Sequence, residues 1–196
     1  MFLVFDTETT GLPKRWDAPI SDHDNWPRCV QIAWQLHDDF GNCVEHKDFI
    51  VAPEGFDIPF ESEQIHGIST ALATKEGSAI NAILADFTAA LAKSKYIIGH
   101  NIKFDVNIIG AELDRLGLDT SITTTPILDT CTEHTATLCQ IPGGRGGRFK
   151  LPTLSELYKH LFDDSFDQAH NATADVEATA RAFFELLRQN KFPANQ

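Results

Sequence analysis

The 196-residue sequence has no apolar run near the roughly 20 residues that a membrane-spanning helix needs. Its N-terminus, MFLVFDTETT, lacks the basic segment that precedes the apolar core of a secretory signal. Basic residues are scarce, since 16 Lys and Arg face 28 Asp and Glu for a net charge of −12. We therefore expect a soluble cytoplasmic protein without a membrane partner. The acidity also argues against a module that grips duplex nucleic acid by neutralising phosphates.

The four cysteines have neither a C-x-x-C pair nor the spacing of a zinc site, so reduced thiols are expected at Cys29, Cys43, Cys131 and Cys139. Apolar residues make up 42% of the chain, enough for a sizeable core, which excludes a disordered acidic protein. We expect a single domain over residues 1–190 and a short tail at 191–196. That tail is short for a partner-binding segment, which favours a stand-alone protein.

The first third of the chain is rich in strand signals. Residues 2–6 form a short apolar strand, and residues 29–37 and 43–51 alternate towards two more strands joined by a Gly-Asn turn at 41–42. A long loop with three prolines, residues 11–28, separates the first two strands. This opening predicts a three-stranded meander.

Helical periodicity dominates the rest of the chain. We predict helical segments over residues 61–68, 78–94, 101–116, 132–138, 153–161 and 172–190, and short strands at 96–99 and 127–128. Asn101 is expected to cap the third of these helices, and residues 141–150 form a Gly-rich loop. Together these elements indicate an α/β fold with a mixed sheet, and they argue against a purely parallel doubly wound fold.

Two carboxylates, Asp6 and Glu8, lie at the end of the first strand. Residues i and i+2 of a strand face the same side, so both carboxylates point together from a strand whose apolar composition makes it central. The alternative is that the strand has ended and both acids lie on the surface, and the pair alone does not decide between the two.

A third carboxylate, Asp105, falls on the apolar stripe of its predicted helix, three residues after Ile102 and four before Ile109. An aspartate there is rarely a solvated charge, and burying it without a partner is costly. The alternative is a structural aspartate near the helix start, stabilised by the helix dipole.

The last predicted helix repeats the pattern with Asp175, which lies among Ala172, Ala178 and Ala182 on a face of small residues. His170 lies five residues upstream of Asp175, before the helix begins. From that loop an imidazole can fold back over the first helical turn and reach the same site. Taken alone, a histidine at this position is more often an exposed loop residue.

Four acids from three separate elements raise one another's pKa and repel when they converge, unless cations lie among them. Carboxylate oxygens in that number favour Mg²⁺ or Mn²⁺ over zinc. Two such ions activate a water and stabilise the leaving oxygen in a phosphoryl displacement, and a neutral His accepts the water's proton. The combination points to phosphodiester hydrolysis.

Three segments carry these residues: FDTETTGL with Asp6 and Glu8, GHNIKFD with Asp105, and HNATAD with His170 and Asp175. In order and spacing they resemble the three motifs of the DEDDh class of 3′→5′ exonucleases, the class of the epsilon subunit of DNA polymerase III. Lesser similarities are IHGIS (65–69), LDT (128–130) and LPTLSELYKHLF (151–162). A His in place of a Tyr before the last aspartate is typical of the His-bearing class.

The resemblance implies a ribonuclease H-like fold with a mixed five-stranded sheet flanked by helices. It also implies release of nucleoside 5′-monophosphates from single-stranded or frayed 3′ ends. Two Mg²⁺ or Mn²⁺ ions would be held by the carboxylates of Asp6, Glu8, Asp105 and Asp175, and His170 would be the general base.

The resemblance also places six residues at the terminal nucleotide: Thr7, Thr9, Leu12, Ile65, His66 and Phe104. Leu12 is the candidate wedge beneath the terminal base. Phe104 is equally compatible with a place in the core.

Two loops add candidates for contact with nucleic acid. The link over residues 12–29 looks longer than is usual in the family, and it carries Lys14, Arg15, Trp16 and Trp26. Tryptophans there either stack on bases or pin the loop to the body of the protein. The Gly-rich loop contributes Arg145, Arg148 and Lys150, which either contact phosphates or are solvated.

The sequence leaves the substrate open between single-stranded DNA and RNA 3′ ends, because the same catalytic groups serve both. An oligoribonuclease-like exoribonuclease and a polymerase-associated proofreading subunit are the alternatives to a DNA exonuclease. The acidity restricts each of them to binding one frayed 3′ end through metals and a pocket, without a basic surface.

Overall fold

The computed structural model describes residues 1–143, 145–166 and 171–192, with the side chain of residue 145 left aside. Its strands are β1 (Phe2–Thr9), β2 (Cys29–His37), β3 (Cys43–Ile50), β4 (Tyr96–Gly99) and β5 (Ile127–Asp129). Its α-helices are α1 (Phe60–His66), α2 (Thr70–Glu76), α3 (Ile80–Leu91), α4 (Lys103–Arg115), α5 (Glu133–Cys139), α6 (Leu154–Phe162) and α7 (Ala172–Arg188). Short 3₁₀ turns occur at Ser121–Thr124 and Arg145–Gly147.

The five strands form one mixed sheet in the order β3-β2-β1-β4-β5. The first three strands are antiparallel neighbours, whereas β4 and β5 run parallel to β1. The predicted meander, the mixed five-stranded sheet and the central place of the first strand are all confirmed. Among the described residues, no helix has the length and apolarity needed to cross a membrane.

Helices cover the sheet on both faces, and the alternation along β1 determines which side chain meets which helix. Leu3 and Phe5 belong to the larger core, which also contains residues of α3 and α4. Val4 faces the opposite way and packs in a second core with Val176 and Phe183 of α7. Helix α6 in turn packs on α7. The sheet is therefore the middle layer of three.

Strand β1 is longer than the sequence predicted, because its polar end stays paired with β2. Thr7 lies opposite Ile32 and Glu8 opposite Gln31, with an irregularity in the pairing after Glu8. The prediction that the strand ends at residue 6 was wrong, since it took polar side chains as the end of the strand. Both carboxylates of the first motif therefore project from a regular strand.

On its other side, β1 outruns its neighbour. The pairing of β1 with β4 stops at Val4 and Ile98, and β4 ends at Gly99. The chain then turns sharply into α4, and it passes so close that a Cβ on Gly99 would lie 2.4 Å from Cδ1 of Ile102. The end of β1 and the start of α4 therefore meet in a notch at the edge of the parallel strands.

The structure differs from the prediction at the start of α4. Asn101 does not cap the helix: its φ is 61°, Ile102 occupies the capping position, and no side chain closes the first turn. Helix α2 was missed, because its seven residues are too few to show a period; it begins at a cap in which the Ser69 side chain accepts the N–H of Leu72.

Candidate active site

Three of the four predicted carboxylates meet in one cluster. Oxygen atoms of Asp6, Glu8 and Asp175 all lie within 4.8 Å of one another. Asp6 and Glu8 reach the cluster from the face of β1 that α7 covers, and Asp175 reaches it from the first turn of α7. The alternative that the strand has ended and both acids lie on the surface does not hold, because β1 continues to Thr9 and both side chains are partly buried.

Asp105 approaches from the other face of the sheet. Its Oδ1 accepts two hydrogen bonds from Thr7, from the backbone N–H at 3.0 Å and from Oγ1 at 2.6 Å. Because β4 has already ended here, this carboxylate takes the place of a strand partner for the Thr7 N–H. Thr7 thus holds Asp105 beside the two acids that flank Thr7 in the strand.

A polar network missed by the sequence analysis fixes the start of α7. The Asn171 side chain caps the helix by accepting the N–H groups of Thr173 and Ala174. Asp48 on β3 accepts the Thr173 hydroxyl at 2.6 Å and the Gln31 side-chain amide at 2.9 Å. These bonds tie the helix turn that carries Asp175 to β2 and β3, and no local sequence pattern signals them.

A second missed residue, Asp129 at the end of β5, supports the start of α4. Its Oδ1 accepts the N–H groups of Asn101 at 2.8 Å and Cys131 at 2.7 Å. The bond to Asn101 stabilises a left-handed backbone that a residue with a side chain seldom adopts. Asp129 belongs to the LDT segment, which gave the only sequence signal for it.

The electrostatics of the cluster favour neutral acids or bound cations. Burial raises the pKa of Asp6 well above its ordinary value, and the neighbouring Asp105, Asp175 and Glu8 raise it further. Burial, Asp175 and Asp105 raise the pKa of Glu8 to about 8. Burial also raises the pKa of Asp105 to about 7, against the lowering effect of its bonds from Thr7. Near neutral pH, these groups compete for protons because no cationic side chain of the described residues lowers their pKa.

The donor set fits hard divalent cations. Three carboxylate groups within 4.8 Å, with a fourth close enough to raise the pKa of Asp6, supply only oxygen donors. Mg²⁺ and Mn²⁺ prefer such donors, and their charge offsets the repulsion that raises these pKa values.

The predicted general base, His170, lies outside the described residues. Of the six predicted nucleotide contacts, Leu12 and Ile65 are exposed, at 73% and 60% of their surface. Thr9 is buried and its Oγ1 donates to the Gly11 carbonyl. His66 is buried, with Nε2 lacking a hydrogen-bond partner among the described residues.

A cavity of about 480 Å³ adjoins the start of α7, and His66, Gln31, Asp48 and Asn171 are in its lining. A larger cavity of about 720 Å³ lies between α3 and the segment that follows α4. Its described lining includes none of the four carboxylates, so size does not mark the site of the chemistry.

The two tryptophans of the loop between β1 and β2 differ: one is buried and one is exposed. Trp26 is 2% exposed and its Nε1 donates to the Pro19 carbonyl, so it pins the loop to the body. Trp16 is 57% exposed and packs on Phe104 with ring centroids 5.7 Å apart. Phe104 is partly buried, between the core and this outer ring.

Two of the three cations of the Gly-rich loop have acidic partners within the protein. Arg148 pairs with Glu133 at 3.6 Å, and Lys150 contacts Glu156 at 2.7 Å. Because both charges are paired, the structure does not support the prediction that Arg148 and Lys150 contact phosphates. The Arg145 side chain lies outside the described part of the structure.

Comparisons with known proteins agree with this geometry. The family described as "RNase_T: Exonuclease" matches residues 3–183. The chain is 31% identical over 192 residues to the DNA polymerase III subunit epsilon of Rickettsia conorii, covering 97% of this chain and 76% of that protein. It is also 31% identical over 198 residues to the 3′-5′ exonuclease DinG of Bacillus subtilis, where it spans 98% of this chain and only 18% of the relative.

The fold matches solved exonuclease structures. E. coli exonuclease I in complex with a dA16 oligonucleotide superposes with a TM-score of 0.73 at 22% identity, covering 97% of this chain. The chain spans 42% of the length of that protein. At this identity the likeness establishes the shared fold.

Proposed function

The chain belongs to the RNase_T exonuclease family, of the DEDDh type and the ribonuclease H-like superfamily, and on that premise we propose a metal-dependent 3′→5′ exonuclease acting on single-stranded or frayed DNA ends. The observation that carries this proposal is the meeting of Asp6, Glu8 and Asp175 within 4.8 Å, with Asp105 beside them. Each cleavage would release one nucleoside 5′-monophosphate.

The carboxylates of Asp6, Glu8, Asp105 and Asp175 would hold two Mg²⁺ or Mn²⁺ ions. When bound, such ions polarise the attacking water and neutralise charge on the leaving oxygen. His170, next in sequence to the α7 cap Asn171, is proposed to take the water's proton. A new bond forms between the water oxygen and phosphorus, and the bond from phosphorus to the 3′ oxygen of the preceding nucleotide breaks. The released nucleotide therefore keeps the phosphate on its 5′ carbon, and the shortened strand ends in a 3′ hydroxyl.

Charge and position of the site support a single-stranded 3′ end as the substrate. The net charge of −12 offers little to a long duplex, whose binding depends on neutralising many phosphates. The cluster lies where β1 outruns β4, and the exposed Trp16 packs on Phe104, the residue that precedes Asp105. The exonuclease I structure with bound dA16 supports oligonucleotide binding by this fold.

The direct test is digestion of a 5′-labelled single-stranded DNA oligonucleotide with Mn²⁺. We expect a ladder that shortens from the 3′ end, loss of the ladder in EDTA, and loss in a Glu8→Gln variant. Asp119→Asn, which changes an exposed acid beyond the far end of α4, should digest like wild type. Intact 3′ ends with wild type, or equal digestion by Glu8→Gln, would contradict the proposal.

The same assay shows whether the enzyme prefers DNA or RNA and which kind of 3′ end it digests fastest. Parallel arms with duplex DNA, a mismatched 3′ end and RNA of the same sequence should show fastest digestion of single-stranded DNA. Faster digestion of RNA would make the enzyme an exoribonuclease.

A second candidate function, proofreading within a polymerase assembly, is favoured by the epsilon subunits of Rickettsia, which match over 97% of this chain. Co-elution with the replicative polymerase of the same organism tests it. The single domain over residues 1–190 and the cytoplasmic location stay predictions.

A further inference from the structure

An exposed tryptophan packs against the residue that precedes Asp105, and the chemistry above does not use it. The chain has three tryptophans, and two are buried: Trp26 at 2% and Trp34 at 0% exposure. Trp16 is 57% exposed, in the loop that leaves β1 after the first motif. Exposing that much aromatic surface to water is costly, so the contacts that hold the Trp16 side chain in this position indicate what it binds.

The backbone around Trp16 is held by a clip from Asn25. The Asn25 side chain accepts the N–H of Arg15 at 2.7 Å and donates to the carbonyl of Arg15 at 3.0 Å. The backbone carbonyl of Asn25 also accepts the N–H of Lys14 at 3.3 Å. The residues that precede Trp16 are thus fixed across the loop, and the indole is presented on a defined backbone.

The far end of the loop is locked to α4 by a buried ion network. Glu112 is 1% exposed, and its Oε1 accepts Nε of Arg28 at 2.9 Å and the N–H of Cys29 at 3.0 Å. Arg115, also on α4, pairs with Glu112 at 3.2 Å and donates to the Trp26 carbonyl at 2.7 Å. The loop and the helix that carries Asp105 are therefore one unit.

The Trp16 ring lies against that same helix at its catalytic end. It packs on Phe104, the neighbour in sequence of Asp105, with ring planes tilted by 52°. Because Phe104 supports only part of it, the indole keeps an open surface beside the site.

Three basic residues adjoin the two aromatic residues in the sequence. Lys14 and Arg15 precede Trp16, Lys103 precedes Phe104, and all three are exposed. Among the described residues, the Arg15 guanidinium pairs only with the exposed Asp17 at 3.3 Å, and neither lysine ammonium forms an ion pair. Aromatic rings with nearby cations are the usual means of binding unpaired nucleic acid, through stacking on bases and contact with phosphates.

We propose that Trp16 is a specificity-determining residue that stacks on the base next to the terminal nucleotide and so selects unpaired 3′ ends. The inference rests on the proposed exonuclease function. A base held in a duplex keeps its stacking and pairing, so it gains the Trp16 contact only by fraying. Trp16 therefore lowers KM for single strands and leaves the bond-breaking step unchanged.

The test compares Trp16→Ala and Trp16→Phe with wild type on single-stranded DNA. Loss of one base–aromatic stack should raise KM about tenfold with kcat unchanged, and Phe should restore most of the affinity because it keeps a stacking face. A single-nucleotide ester of a chromogenic phenol has no neighbouring base, so all three proteins should hydrolyse it equally. Phe40→Ala, which removes a 91% exposed ring at the β2–β3 turn, is the matched control and should leave KM unchanged.

Tryptophan fluorescence gives a readout that does not depend on activity. In a Glu8→Gln background, single-stranded DNA should quench the emission, and Trp16→Phe should abolish the quenching because the other two indoles are buried. Quenching that persists without Trp16 would overturn the proposal.

Failure of this inference is distinguishable from failure of the proposed function. If wild type digests single-stranded DNA and Trp16→Ala has the same KM, Trp16 has no part in specificity. A specificity role is also excluded if Trp16→Ala loses equal activity on the nucleotide ester, since the loop would then be supporting the fold. If wild type digests no 3′ end, the exonuclease proposal itself is wrong.

Discussion

Thr7 organises the cluster at the scale of single residues. It lies between the two acids of β1, and its buried side chain points to the opposite face, where it holds Asp105. From the sequence, Thr7 is predicted to meet the terminal nucleotide, whereas in the structure its N–H and its hydroxyl both donate to the Asp105 carboxylate. A motif in which acids flank a threonine therefore positions three carboxylates at once.

Thr7→Val tests this positioning role. The variant keeps the backbone bond to Asp105 and loses the 2.6 Å hydroxyl bond, so the carboxylate should lose orientation. We expect roughly 1–2 kcal/mol less stability and about a tenfold lower kcat. Thr7→Ser, which restores the hydroxyl, should recover kcat in the same digestion assay. Unchanged kcat in Thr7→Val would show that the bond has no part in positioning Asp105.

Glu8 should make the metal-free protein less stable at alkaline pH. Its pKa is about 8 in the folded protein against an ordinary value of 4.5, so between these values the folded state binds more protons than the unfolded chain. The stability that protonated Glu8 contributes is therefore fully present below about pH 4.5 and is lost as the pH rises through about 8. Urea unfolding in EDTA should show Glu8→Gln to be more stable than wild type by about 1–3 kcal/mol near pH 9 and equal to it near pH 4. A constant difference across this range would contradict the assignment.

At the scale of elements, the approach of β4 to α4 sets the place of Asp105. Strand β4 and strand β2 begin and end where the sequence predicted, because apolar runs bounded by polar residues mark them clearly. The predicted end of β1 and the predicted cap of α4 were wrong, because contacts with residues distant in sequence determine both. Ile32 and Gln31 keep β1 extended, and the bond from the Asn101 N–H to Asp129 holds Asn101 in a left-handed conformation that takes it out of the capping position.

Gly99→Ala should displace the first turn of α4. The new Cβ would lie 2.4 Å from Cδ1 and 2.7 Å from Cβ of Ile102, so the helix start must shift. We expect a loss of about 1–3 kcal/mol in unfolding free energy and a large loss of exonuclease activity. Gly110→Ala on the same helix is the matched control. There the nearest atom lies 3.1 Å away, on a side chain, and activity should persist. Wild-type activity in Gly99→Ala would contradict the positioning argument.

In the site, as in the fold, only features set by local sequence were predictable. The four carboxylates were predictable because their spacing in strand and helix is local, and three of them do converge. Asp48, Gln31 and Asp129 were not, since each acts through a partner distant in sequence. Trp16 and Trp26 looked alike in sequence, and only packing separates the exposed ring from the anchor.

At the scale of the whole molecule, the net charge of −12 bears on both metal and nucleic acid. Two divalent ions would bring the four clustered acids to local neutrality and relieve the repulsion within the site. The remaining acidity disfavours extended contact with phosphates, so the proposed exonuclease would take its affinity for nucleic acid from the metals and from stacking at one end. Loop, helices and sheet contribute to that single site from separate parts of the chain.

Calorimetric titration of the metal-free protein with Mn²⁺ near pH 8 measures whether the carboxylate cluster holds divalent cations. We predict binding of two ions to wild type and to Asp119→Asn, and loss of that binding in Asp6→Asn with the fold retained by circular dichroism. Binding of Mn²⁺ by Asp6→Asn with wild-type affinity and stoichiometry, or no binding by wild type, would contradict the account.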